Sequence, residues 1–179
     1  MSRAVRIVHA ADFHLGSPFS GLSASKAGIR KAEQQDAFLR MIDVCKTSNA
    51  QILLLSGDIF DAVRVSSEHE RFIIDALNEI PQTYIFIAPG NHDPYLYSSI
   101  YQSSSFGEHV HIFKNAMESF FCPELDTVVW GAAFSSSRRY KSLWPEGFSA
   151  RNASTGSEQT LHIVVMHGDI VSGPNDKSA

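Results

Sequence analysis

The sequence predicts an α/β fold, with parallel βαβ units at the start and a mixed second sheet after them. Three observations predict it. Continuous apolar runs alternate with segments of helical apolar spacing through the first half of the chain. The second half carries shorter strand-like runs separated by turn residues. The 179 residues, 44% hydrophobic and 19% charged, describe one ordinary domain able to bury a sizeable core.

The elements follow in order. Val5-Arg-Ile-Val-His9 is a β-branched run that stops at Ala10-Ala11-Asp12, so a first strand ends just before an acidic residue. From about Ser25 to Ser48, Ala37, Phe38, Met41, Ile42 and Cys45 recur at the spacing of one helix face. Gln51 to Ser56 is a continuous apolar run closed by Gly57, the pattern of a strand buried on both faces. Glu68 to Ile80 is again helical, with Phe72, Ile73, Ala76, Leu77 and Ile80 on one side. Thr83 to Ala88 is the next buried strand, closed by Pro89-Gly90. Val110–Phe113, Ser119–Cys122 and Thr127–Gly131 then read as short strands of an antiparallel or mixed second sheet, and Leu161–Met166 as a strand of the buried type. Ser135 to Gln159, rich in Ser, Arg, Asn and Gly, reads as a long surface loop with one helical turn.

Composition excludes several classes. No apolar run approaches the length of a membrane span. The N-terminus runs straight into a strand pattern without the three-part order of a signal peptide, so the expected setting is cytoplasmic. Cys45 and Cys122 form neither a metal-type spacing nor a disulfide framework, and Cys45 is expected as a buried thiol. The net charge of −4 argues mildly against an overall electrostatic grip on nucleic acid, although a local patch, a partner subunit or metal ions can supply one. The only compact basic cluster is Arg138-Arg139-Tyr140-Lys141, with Trp144 nearby. Arg138 and Arg139 are candidates for contacting a nucleic-acid backbone, against the plainer reading of a solvated loop.

The chemistry-bearing residues fall just past strand ends: Asp12-Phe-His14, Gly57-Asp58-x-x-Asp61, Gly90-Asn91-His92-Asp93 and His167-Gly168. In open α/β sheets that edge is where ligands bind. Asp12 and His14, one residue apart, would point to the same side of an extended chain. Hard oxygen ligands mixed with imidazoles suit manganese, iron, zinc or magnesium. Two such ions roughly 3.5–4 Å apart can clamp a phosphate and activate water for in-line attack. Each residue also has a plainer reading: Asp58 and Asp61 as helix caps, Asn91 as a positive-φ turn residue, and His167 as a core histidine. Their joint occurrence at successive strand ends favours a shared site. Gly107-Glu-His109-Val-His111 is read as an ordinary strand histidine pair, both rings on one face, and His9, His69 and His162 as structural.

These motifs resemble those of the calcineurin-like metallophosphoesterase superfamily, whose signature runs D-x-H, G-D-x-x-D, G-N-H-D/E, a lone H, then G-H-x-H. The stretches His9-Ala-Ala-Asp-Phe-His-Leu-Gly-Ser-Pro-Phe-Ser-Gly-Leu22, Ser56-Gly-Asp-Ile-Phe-Asp61, Gly90-Asn-His-Asp-Pro94 and Gly131-Ala-Ala-Phe-Ser-Ser-Ser-Arg-Arg139 are more specifically similar to the SbcD/YhaO-type DNA repair exonucleases. The resemblance covers almost the whole chain. It implies a four-layer β-sandwich flanked by helices, residues 1–179 being the N-terminal portion of the nuclease domain without its capping region. It implies that Asp12 and His14 bind the first metal, Asp58 bridges both, and Asn91 and His167 bind the second. His92 would be the catalytic imidazole and general acid, and Asp61 the carboxylate that orients and charges it.

The departure is at the end. The G-H-x-H that gives one histidine to each ion should follow His167, and residues 169–179 contain no histidine. The expectation is therefore a fold incomplete at its C-terminus, a fragment or a naturally shortened product, with weakened metal binding and poor activity. The activity implied is manganese-dependent phosphodiester hydrolysis, a DNA exonuclease in which hydroxide held by the ions attacks phosphorus. Implied partners are DNA, a long coiled-coil ATPase of the SbcC type and a second copy of the chain, with no membrane. The rivals are a phosphatase or phosphodiesterase on small esters or nucleotides, and a non-catalytic module that docks on the ATPase.

Overall fold

The computed structural model describes residues 4–114, 116–138, 142–150 and 159–168. The first sheet is wholly parallel, in the order β1 (Ile7–Ala10), β2 (Ile52–Leu55), β3 (Tyr84–Ile87), β4 (Val110–Ile112). The crossovers run through α1 (Ala24–Ser48), α2 (Ser67–Asn78) and a loop with the short helix α3 (Ile100–Ser103). The second sheet is mixed: β5 (Glu118–Cys122) pairs antiparallel with β6 (Thr127–Gly131), and β6 pairs parallel with β7 (Leu161–Val165).

The apolar runs explain the layers. Along β2 and β3, Leu53, Leu55, Ile85 and Ile87 face one way and Ile52, Leu54 and Phe86 the other. All seven are buried, so the first sheet is covered on both faces. On one side they meet Phe38, Met41, Ile42 and Cys45 of α1 and Ile73 and Leu77 of α2. On the other they meet Cys122, Val129 and Val165 of the second sheet and Phe113 beyond β4. Among the described residues the order is helices, sheet, sheet, three of the four layers expected.

Both helices end as their sequences dictate. Ser66 caps α2, its hydroxyl accepting from the His69 amide at 3.3 Å, with Glu68 and Glu70 in the first turn to oppose the helix dipole. Asn49 closes α1 in the left-handed conformation at φ 50°, its amide reaching back to Cys45 and Lys46. The buried residues of α1 lie in its second half, so its first half stands largely in solvent.

Three expectations need correction. Val110–Ile112 joins the first sheet as β4, parallel to β3, and not the second. Its alternation decides this: Val110 and Ile112 pack on the helix-side core, while His111 faces Phe86 and Phe120 between the sheets. His109 precedes the strand and turns instead to the Leu77 carbonyl at 3.2 Å, so the two rings do not share a face. Strand β7 is buried only at Val165, because it lies at the edge of its sheet. Of the loop expected from 135 to 159, residues 139–141 and 151–158 lie outside the described residues.

Candidate metal centre

The β1–β2 ladder does not stop where the strands do. Backbone bonds continue from Asp12 N to Gly57 O (3.1 Å), His14 N to Asp58 O (2.9 Å) and Leu15 N to Ile59 O (2.8 Å). Asp61 N returns to Leu15 O at 3.1 Å. The two motif loops are therefore zipped side by side as an extension of the sheet. Neither is extended chain, however: Asp12, His14 and Asp58 have φ of 58°, 50° and 51°. The left-handed region is unfavourable for residues with a Cβ and recurs at functional sites. Asp12 and His14 thus reach one site through a strained turn, and not by strand alternation. From α1, the Gln34 amide donates to the Phe13 and His14 carbonyls at 3.0 and 2.9 Å and holds that turn.

Two glycines let the loops converge. A Cβ on Gly57, at φ 76°, would sit 2.7 Å from the His167 side chain and 2.8 Å from Gly90 Cα. A Cβ on Gly90 would sit 2.1 Å from Asp58 Oδ1. The plainer readings of the motif fail on this geometry. The helix after Asp58 and Asp61 is capped by Ser66, and neither Gly90 nor Asn91 has a positive φ.

Asp58, 3% exposed, is the centre. Its Oδ1 accepts the His92 amide at 3.0 Å. Its Oδ2 lies 3.8 Å from His14 Nε2 and 3.4 Å from His167 Nε2, beyond hydrogen-bond reach of the first. His167 Nδ1 is 2.9 Å from the Ser56 carbonyl, which can only accept, so the ring proton sits on Nδ1. Nε2 faces Asn91 Oδ1 at 3.0 Å and Asp58 Oδ2 at 3.4 Å. With a ring proton held at Nδ1, Nε2 can serve as a ligand beside the amide and carboxylate oxygens, the mixed N and O donor set that suits a divalent cation. Asp12, His14 and Asp58 also bring ligand atoms within 4.8 Å of one another. The donor set therefore fits metal ions, with mixed carboxylate, amide and imidazole character.

Asp61 binds two imidazoles through one oxygen: His14 Nδ1 at 2.9 Å and His92 Nδ1 at 3.2 Å. The two rings stand edge to face, 4.7 Å apart and 87° inclined. The His92 side chain is 44% exposed against 14% for His167, so His92 is the imidazole that solvent or a substrate can reach.

The structure thus brings together Asp12, His14, Asp58, Asp61, Asn91, His92 and His167. It does not bring Arg138 to them: that residue is exposed on the loop after Phe134, its carbonyl bonded to Ser136, and Arg139 lies outside the described residues. Sequence reasoning gives no role to Asp93, 1% exposed, whose carboxylate accepts the amides of Asp58, Ile59, Phe60 and Gly90 at 2.8–3.2 Å. Its signal is its place as the last residue of the Gly90-Asn91-His92-Asp93 motif, which does not say what it bonds. His9 supports the floor of the site, its Nε2 2.8 Å from Ser56 Oγ.

This fold, with carboxylates, imidazoles and an amide gathered past its strand ends, is the arrangement found in the phosphoesterase class. The chain belongs to the calcineurin-like phosphoesterase family, whose pattern matches residues 5–177. It is 27% identical over 176 residues to the metallophosphoesterase YhaO of Bacillus subtilis, covering 91% of this chain and 40% of that protein. It is 32% identical over 94 residues to the SbcD component of the SbcCD nuclease of Rhodobacter capsulatus, covering 50% of this chain and 22% of that protein. To the DNA double-strand break repair protein Mre11 of Methanopyrus kandleri it is 24% identical over 91 residues, 50% of this chain and 19% of that protein. The chain thus spans less than half the length of these relatives.

Proposed function

We propose that the chain is the catalytic portion of a two-metal phosphodiesterase acting on DNA ends. The observation that carries this reading is the convergence of His167 Nε2 on Asn91 Oδ1 at 3.0 Å and Asp58 Oδ2 at 3.4 Å, beside the cluster of Asp12, His14 and Asp58. Asp12 and His14 would hold the first ion, Asp58 would be shared, and Asn91 and His167 would hold the second. When bound, the ions, manganese by preference, would supply a clamp on the phosphate and an activated nucleophile. His92 then donates a proton to the leaving oxygen, and Asp61 fixes its tautomer.

DNA is favoured over a small ester by what lies beside the ions. A groove of about 630 Å³ is lined by Asp12, Phe13 and Phe19 on one side and by α1 on the other, with Arg30, Glu33 and Arg40 among its charged residues. Arg30 is paired with Glu33 of the same helix turn, and Arg40 has no charge partner among the described residues. An extended polyanion fits such a groove better than a compact ester does. Relatives named as a nuclease component and a DNA repair protein support the same reading. A coiled-coil ATPase and a second copy of the chain complete the proposed assembly, in the cytoplasm.

The test is hydrolysis of linear DNA and of a chromogenic phosphodiester with manganese, iron, zinc or magnesium. Asp58→Asn is expected to abolish turnover and metal binding. His92→Ala is expected to lower kcat by roughly 10²–10⁴ while leaving metal affinity intact, since general acid catalysis contributes about that much. A marked preference for the small ester would overturn the DNA assignment; full activity in both variants would overturn the mechanism.

A further inference from the structure

The Asp93 carboxylate has a fifth partner that no motif predicts. Tyr101 Oη donates to Asp93 Oδ2 at 2.6 Å, from the first turn of α3. Tyr101 is 5% exposed, and its ring packs against Phe60 and Phe106 with centroids 6.3 and 6.4 Å away. The other four donors to Asp93 are backbone amides, three from the loop of Asp58 and one from the loop of Asn91 and His92. Asp93 is thus the pin through both loops, and among the described residues Tyr101 is the one side chain that holds the pin.

The need for it is electrostatic. Asp58 and Asp93 are two carboxylates buried within a few residues' width of one another, and a buried carboxylate short of donors turns toward the nearest positive charge. For Asp93 that charge would be an ion held by Asp58. Burial and the neighbouring Asp93 charge push the Tyr101 hydroxyl well above its ordinary range, so it remains a donor wherever the protein is folded.

We infer that Tyr101 is a positioning residue of the metal centre: its hydroxyl holds Asp93 on the loop amides and so keeps Asp58 and Asn91 at ligand distance. The inference rests on the metal-centre reading above and adds to it a residue outside the recognised motifs. The left-handed backbone at Asp58 makes the dependence sharper, because that conformation survives only where its surroundings impose it.

Tyr101→Phe keeps the ring and removes only the donor. Calorimetric titration of the protein with manganese is expected to show roughly tenfold weaker binding, the lower end of what loss of an outer partner of a metal ligand costs. Activity lost at low manganese is expected to return at saturating manganese. Phe106→Leu is the control: it disturbs the same ring packing, leaves the hydroxyl, and is expected to lower Tm without changing manganese affinity. Wild-type affinity in Tyr101→Phe overturns the inference, as does an equal loss in Phe106→Leu. If the unaltered protein binds no manganese, zinc, iron or magnesium, the metal-centre reading falls and the inference with it. Hydrogen exchange in the unaltered protein is a second measurement, independent of any variant. The amides of Asp58, Ile59 and Phe60 are expected to exchange as slowly as those of β2, and fast exchange overturns the clamp.

Discussion

At the scale of single residues, the site depends as much on what is missing as on what is present. Gly90 has no Cβ because Asp58 Oδ1 occupies that space. Gly90→Ala is expected to displace the Asp58 carboxylate, abolish metal binding in a calorimetric titration, and lower Tm by several degrees. Gly28 is the useful contrast. It lies in the exposed half of α1 with nothing within 4 Å of a Cβ. Ala there should stabilise by about 0.5–1 kcal/mol and leave metal affinity alone. The seven polar residues of the centre are all legible in the sequence, because each is a chemically distinctive side chain at a strand end. Asp93 is legible as a motif residue but not for what it does, and Gln34 is not legible as a contributor at all. Both act by hydrogen-bonding backbone, and no side-chain pattern records which amides or carbonyls a fold will present.

At the scale of elements, β1 to β3 and the two long helices follow their periodicities to within about three residues at each boundary. The sequence pattern puts strand β4 in the wrong sheet because three residues carry too little pattern, and because its crossover is mostly site loop, not helix. Its central residue has a cost of its own. Among the described residues His111 Nε2 is buried without a hydrogen-bond partner, and the ring contacts Phe86, Phe113 and Phe120. Burial lowers its pKa, with Lys114 adding to the shift and Glu118 opposing it. The unfolded chain therefore takes up a proton that the folded chain refuses. Stability is present in full above about pH 6.5, falls as pH drops below that value, and levels off once the depressed folded pKa is passed. Thermal melts from pH 7.5 to 5 should show this slope, and His111→Phe should flatten it. An unchanged slope would assign the acid lability to other groups.

At the scale of the whole molecule, one sheet serves two cores and carries the metal centre at its edge. The helix-side and sheet-side clusters share β2 and β3, so loosening either face moves the loops that bear Asp58 and Asn91. Metal binding should accordingly be visible as global stabilisation. Manganese at about a hundred times its Kd adds roughly 2.7 kcal/mol, a rise in Tm of about 5–10 °C that a chelator reverses. No shift with any divalent metal would remove the centre from consideration. The layering is legible from apolar runs buried on both faces, whereas the route of the chain between layers is not, since connection depends on loop paths that periodicity does not encode. The left-handed turns at Asp12, His14 and Asp58 carry a last consequence, for descent. Glycine at Asp12 relieves conformational strain and should raise the Tm of the metal-free protein even as it removes a candidate ligand, whereas at His14 and Asp58 the lost hydrogen bonds to Asp61 and the His92 amide offset that relief. A chain under no demand for these ligands would therefore gain stability by substituting Asp12 first.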